Sequence, residues 1–156
     1  GCQNIGLKYF IRPKEMEFKT PQKTLNIFFW YRNDLKLNDW IGFFNLNKIN
    51  KIIYFDCPDP GRKSEEFDKI FLDKYKIELT KMSFLPHSQY IEYVKNCDVF
   101  ISPRKQEGIG MSFLEAISMG KYIVSNDDST MNEYIADKNI GFLINKKKKN
   151  QSIITT

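Results

Sequence analysis

The sequence predicts an α/β fold, a Rossmann-like parallel sheet with helices on both faces. Three observations predict it. Short apolar runs alternate with stretches of helical periodicity, and strands joined through intervening helices run parallel. Turn and capping residues separate the two, as at Cys57-Pro58-Asp59-Pro60-Gly61 and Ser102-Pro103. A strand, a glycine loop and a helix follow one another across Val99–Ile101, Glu107–Gly110 and Met111–Met119. That order presents a helix start to a ligand beyond the strand's carboxyl end.

The elements follow in chain order. Residues 1–23 contain Pro13 and Pro21, show weak periodicity and read as a linker or lead-in. Residues 24–145 are expected to form the domain, and 146–156 a basic, truncated end. Leu25 to Tyr31 reads as an aromatic-rich strand. Asn38 can cap a helix from Asp39 that carries Trp40, Ile41, Phe43 and Phe44. Lys51 to Asp56 is a second strand, and Ser64 opens a helix with Phe67, Ile70 and Phe71 inward. A short strand near Leu79–Leu85 stops at Pro86, and Ser88 then caps a helix bearing Tyr90, Ile91, Tyr93 and Val94. Asp98 precedes the strand Val99–Ile101, and the helix from Met111 ends at Gly120, a C′ glycine. Lys121 to Ser125 is a strand, Thr130 and Glu133 form a capping box, and Ile140 to Ile144 is the last strand.

Composition bounds the function. A chain of 156 residues fits one domain, and 15% aromatic residues exclude disorder along most of it. The net charge of +5 suits phosphorylated ligands, acidic lipid or nucleic acid alike. No interleaved basic and aromatic recognition motif is present, so no nucleic-acid partner is expected. Cys2, Cys57 and Cys97 are scattered, without zinc-ligand spacing or a disulfide framework, which fits a reducing cytoplasm and no bound metal. No apolar run is long enough to span a bilayer, and no signal-peptide pattern is seen. The chain opens on Gly1 and stops soon after Lys146–Lys149, so both ends read as cuts in a longer protein.

The chemistry concentrates at Glu107-Gly108-Ile109-Gly110-Met111-Ser112-Phe113-Leu114-Glu115. Backbone N–H groups at a helix start attract phosphate, and carboxylates accept hydrogen bonds from sugar hydroxyls. A nucleotide sugar carries both kinds of group. Plainer readings stand beside this one. Ser112 and Glu115 could form a capping box, Glu107 could be a solvated loop carboxylate, and Gly108 and Gly110 could be turn glycines. Arg32 could be a surface arginine in a salt bridge, His87 an ordinary loop residue, Glu133 a helix cap, and the lysine run a solvated end.

From Asp98 to Ile144 the sequence resembles the C-terminal, donor-binding domain of GT-B glycosyltransferases of family 4, or group 1. The family pattern is a strand ending in Pro-Ser or Ser-Pro, then Glu-Gly-x-Gly and a second Glu eight positions after the first. A glycine, a strand, an acidic helix start and Gly-x-Leu-[IV] follow. Here these stand as Ser102-Pro103, Glu107-Gly108-Ile109-Gly110, Glu115-Ala116, Gly120, Tyr122-Ile123-Val124-Ser125, Glu133 and Gly141-Phe142-Leu143-Ile144. The family's first strand usually ends in Gly-Arg with a Lys several residues on. Here Arg32 matches, Tyr31 replaces the glycine and Lys36 sits slightly closer than usual. Phe84-Leu85-Pro86-His87 is similar to the family's segment near the nucleoside base, with a shorter connection.

The resemblance implies one half of a GT-B fold that binds a nucleotide-diphosphate sugar, in a transferase that retains anomeric configuration and needs no cofactor or metal. Glu107 would contact the donor sugar and Glu115 the ribose. Backbone amides across Gly108, Ile109, Gly110, Met111 and Ser112, with Arg32 and Lys36, would hold the diphosphate, and Leu85 and His87 would lie near the nucleoside. A glycan or lipid-linked acceptor would bind an N-terminal domain absent here, so this chain alone would be inactive. The implied setting is bacterial surface polysaccharide synthesis (O-antigen, lipopolysaccharide or capsule) in the cytoplasm. The lysine run could touch anionic lipid at the membrane's inner face. The alternative is a non-catalytic nucleotide-sugar-binding or scaffold module.

Overall fold

The computed structural model describes residues 9–13, 23–32, 34–57, 59–81, 86–106 and 108–145. Strand β1 (Leu25–Tyr31) leads to a four-residue helix α1 (Asn38–Ile41), a 3-10 turn at Leu46–Lys48 and β2 (Ile49–Asp56). Helix α2 (Lys69–Lys74), β3 (Ile77–Lys81), α3 (His87–Lys95) and β4 (Val99–Ile101) follow. Helix α4 (Met111–Ser118), β5 (Tyr122–Asn126), α5 (Ser129–Tyr134) and β6 (Gly141–Ile144) complete the described fold.

The six strands form one sheet in the order β3-β2-β1-β4-β5-β6. Every pairing is parallel. The fold is the expected Rossmann-like doubly wound sheet. Its order reverses between β1 and β4, paired through Ile27 with Val99, Phe28 with Phe100 and Phe29 with Ile101. A crevice opens beyond the carboxyl ends of the strands at such a reversal.

Period-two alternation divides the apolar side chains between two cores. Ile27, Phe29 and Tyr31 join Ile52, Tyr54, Ile101 and the α1 residues Trp40 and Ile41 on one face. Phe28 joins Ile53, Phe55, Phe100 and Phe113 on the other, with Tyr90, Ile91 and Val94 of α3. Phe28 is fully buried, with its ring 5.6 Å from Phe100 and 6.1 Å from Phe55. Its burial contributes about 1.5–3 kcal/mol, and the residues on both sides of the sheet explain why β1 is apolar at nearly every position.

Several helix starts differ from expectation. Asn38 is the first residue of α1, whose N-cap is Leu37, and Asp39 instead accepts from the Lys36 N–H at 3.1 Å. Phe43 and Phe44 lie past that short helix. Helix α2 begins at Lys69, capped by Asp68, whose carboxylate accepts from the Phe71 N–H at 2.7 Å. Phe67 therefore precedes the helix, the three-four spacing does not run through it, and Ile70 faces outward at 80% exposure. Ser88 sits inside α3, whose N-cap is Pro86. Thr130 sits inside α5 after Asp128, and no side-chain capping bond forms there. The helix end at Gly120 is as expected, with φ 67° in the left-handed region that glycine enters without strain. Strand β3 ends at Lys81, and the rest of the run toward Leu85 lies outside the described residues.

Candidate functional site

The parallel sheet places the carboxyl ends of β1, β2 and β4 along one edge, and each delivers a charged residue there. Arg32 follows β1 directly, Asp59 lies in the loop after β2, and Arg104 follows Ser102-Pro103 after β4. Arg32 donates through Nε and Nη2 to Asp59 Oδ1, at 3.1 and 2.6 Å. Arg104 Nη2 reaches Asp59 Oδ2 at 2.9 Å and Oδ1 at 3.1 Å. Arg104 Nη1 also lies 3.5 Å from Asp34 Oδ2. One carboxylate thus joins two guanidinium groups across the point where strand order reverses.

Local packing holds Arg32 in place. Its guanidinium lies 4.9 Å from the centre of the Trp30 ring, a cation–π arrangement. Burial alone would raise the Asp59 carboxyl. Hydrogen bonding and charge from Arg32, then the charge and hydrogen bonding of Arg104, outweigh it and hold the group below its ordinary value. Burial pushes the nearby Cys57 thiol up, against the lowering influence of Arg32. Cys57 is thus held as the thiol rather than the nucleophilic thiolate. Asp56, at the end of β2, is 3% exposed, and neither carboxylate oxygen has a hydrogen-bond partner among the described residues.

The second part of the edge is the start of α4. Its N-cap is Gly110, and the first helical bond runs from the Leu114 N–H to the Gly110 carbonyl at 3.1 Å. The Met111 N–H donates to the Ile109 carbonyl at 3.0 Å, so this amide, expected to face a phosphate, is engaged locally. Ser112 and Phe113 lie ahead of the first helical bond, where N–H groups have no partner within a helix. Ile109 and Met111 are exposed at 59% and 46%. A Cβ built on Gly108 would meet no atom of the described residues within 4 Å, so packing against them does not require glycine there.

Glu115 is the fifth residue of α4, too far along to close a capping box with Ser112, and no side-chain capping bond forms. Its side chain is 17% exposed and its Oε1 lies 2.7 Å from His87 Nε2, on the first residue of α3. At that distance the ring N–H donates to the carboxylate. The Tyr90 hydroxyl, one turn further along α3, donates to the Ser112 carbonyl at 3.3 Å and ties α3 to the α4 start.

Of the residues expected at the site, the fold brings His87 to Glu115 and sets both at the same sheet edge as Arg32, Gly108, Gly110 and Ser112. Lys36 is exposed beside α1. Glu107 and Leu85 lie outside the described residues. Sequence reasoning took Asp59 as part of a turn and passed over Arg104. A charged residue just beyond the carboxyl end of a strand at or next to the reversal is the signal that finds both. Among the described residues no three His, Cys, Asp or Glu side chains gather as metal ligands would.

The family model described as Glycosyl transferases group 1 matches residues 61–154. The chain belongs to the group 1 glycosyl transferases. The matched stretch takes in the glycine loop, Glu115 and Gly141, while Arg32, Lys36 and Asp59 precede it. Among solved structures, the chain is similar to the glycosyltransferase GlyE of Streptococcus pneumoniae TIGR4, with 11% identity and a TM-score of 0.48. That similarity covers 80% of this chain and 30% of the other, so the chain spans less than a third of that protein's length. Comparison with curated proteins gives no match. In this group 1 domain no helix among the described residues is long and apolar enough to cross a membrane.

Proposed function

We propose that this chain is the donor-binding half of a GT-B glycosyltransferase of family 4, taking a nucleotide-diphosphate sugar and transferring the sugar with retention and without a metal. The observation that carries the reading is the meeting, at one edge of the reversal point, of Arg32 and Arg104, the start of α4 and the Glu115–His87 pair. The cations and the helix start stabilise charge that develops on a departing diphosphate. Glu115 accepts from the ribose hydroxyls through Oε2, its Oε1 being taken by His87. Glu107 contacts the donor sugar, where a carboxylate stabilises oxocarbenium character. The acceptor, a glycan or lipid-linked glycan of a bacterial surface polysaccharide, binds a second, N-terminal domain. The enzyme works in the cytoplasm, with peripheral contact at the inner membrane face.

Calorimetric titration of the chain with UDP, GDP, ADP and TDP, with and without magnesium, tests this. The expected result is binding of one nucleotide that is unchanged by magnesium. Binding of none, in a chain shown to be folded, would favour a scaffold module, and binding that requires magnesium would overturn the metal-independent mechanism.

A further inference from the structure

Both oxygens of Asp59 are engaged by guanidinium groups, and among the described residues its side-chain hydrogen bonds run to Arg32 and Arg104. The Nε/Nη2 edge of Arg32, the fork that recognises phosphate oxygens in pairs, is closed by Asp59 Oδ1. Among the described residues, ion pairs join Arg32 and Arg104 to Asp59 and Asp34. Carboxylates paired with guanidinium groups reduce their attraction for a polyanion. Removing the charge of Asp59 would raise the local positive potential and open the Arg32 fork. The site is within reach of solvent, with side-chain exposures of 30% for Arg32, 27% for Asp59 and 28% for Arg104. Asp59 is carried by a loop rather than a strand, in a turn closed by the Arg62 N–H on the Asp59 carbonyl at 3.0 Å. Its side chain can therefore leave without disturbing the sheet.

We propose that Asp59 is an internal counterion occupying a two-arginine anion site made by Arg32 and Arg104, and that an incoming diphosphate binds there by displacing it. Arg104 is then the second guanidinium of the diphosphate site, supplied from the strand across the reversal. Asp59 sets the affinity by competing with the ligand. The identification of the ligand as a diphosphate rests on the donor-binding reading, whereas the competition itself rests on the geometry of the three side chains.

The probe is inorganic pyrophosphate, titrated calorimetrically into the chain and its Asp59→Asn, Arg104→Gln and doubly substituted variants, each checked by thermal melting. Asp59→Asn is expected to bind pyrophosphate roughly tenfold tighter and Arg104→Gln roughly tenfold weaker. The double variant loses the gain. Asp59→Ser, which also removes the charge, is expected to match Asp59→Asn and serves if that variant fails to fold. Unchanged or weaker binding by the folded Asp59 variants overturns the proposal, as does absence of pyrophosphate binding by wild type and variants alike. The donor-binding reading fails separately. Tighter pyrophosphate binding by Asp59→Asn with no nucleoside diphosphate bound would sink that reading and leave the counterion standing. Nucleotide binding that is indifferent to Asp59 would do the reverse.

Discussion

Replacing Glu115 by Gln tests the ribose assignment with little change of shape. The wild-type carboxylate has Oε1 held by His87 at 2.7 Å, which leaves one oxygen to accept from a ribose hydroxyl. A hydrogen bond to a charged acceptor contributes about 1.5–3 kcal/mol, and a neutral amide oxygen keeps roughly half of that. The loss is then about 0.8–1.5 kcal/mol, or roughly four- to twelvefold weaker binding of the preferred nucleoside diphosphate. Pyrophosphate, which has no ribose, should bind as before. Stability should hardly move, because Glu115 makes no cap and its partner is 66% exposed. A pair of that kind contributes about 0.5 kcal/mol, which corresponds to a Tm change of about 1–2 °C in a domain of this size. Calorimetry with nucleoside diphosphate and pyrophosphate, together with a thermal melt, reads all three quantities. Nucleotide affinity within twofold of wild type in the folded variant would refute the reasoning. Equal weakening of both ligands would place Glu115 at the phosphates instead.

Three further outcomes concern the scaffold. Gly141→Ala should cost about 2–3 kcal/mol, seen as a lower midpoint in urea. The new methyl would overlap the Ile123 carbonyl and come within 2.9 Å of Ile135 Cγ2, at the β5–β6 pairing. Tyr54→Phe should cost about 1–2 kcal/mol by the same assay, because the buried phenol donates to Glu65 Oε2 at 2.8 Å while its ring packing stays. Burial, then the Glu65 hydrogen bond, push that phenol well above its ordinary pKa, so its contribution to stability is complete below the ordinary phenol range near pH 10 and is lost as pH rises beyond it. Asp59 is the opposite case. Its folded pKa lies below the unfolded one, so its contribution is complete above the ordinary carboxylate range near pH 4 and is lost as pH falls through the lower folded value. Wild type should lose more stability than Asp59→Asn between about pH 5 and pH 2, and parallel acid-unfolding curves would contradict the pairing.

Local sequence pattern set the type and order along the chain of the strands, and the bounds of two of them. The β1 run Leu25–Tyr31 and the β4 run Val99–Ile101 are bounded as their apolar patterns predict, because residues buried on both faces leave few polar alternatives. It also determined the α4 end at Gly120, where a left-handed residue is needed. Helix starts were less legible. Ser88, Ser112 and Thr130 each have the chemistry of a cap, yet Pro86, Gly110 and Asp128 stand at those positions. Capping depends on where the chain leaves the sheet, and a serine or threonine two residues later offers the same local signal. Gly141 was visible only as part of a motif. Its reason, the approach of the Ile123 backbone and the Ile135 side chain, belongs to the packed structure.

The site divides in the same way. The glycine loop and Glu115 could be read from the strand, loop and helix order, and Arg32 from the family resemblance, since a helix start and the residue after a strand have fixed places at the edge of a parallel sheet. Only the tertiary structure joined His87 to Glu115 across 28 positions, and Arg104 to Asp59 across 45. The Arg104–Asp59 pair exists because strand order places β4 beside β1 and β1 beside β2, and the His87–Glu115 pair because α3 and α4 pack into the same core on one face of the sheet. Local pattern fixes which residues end a strand, whereas the order of strands in the sheet fixes which of those ends meet.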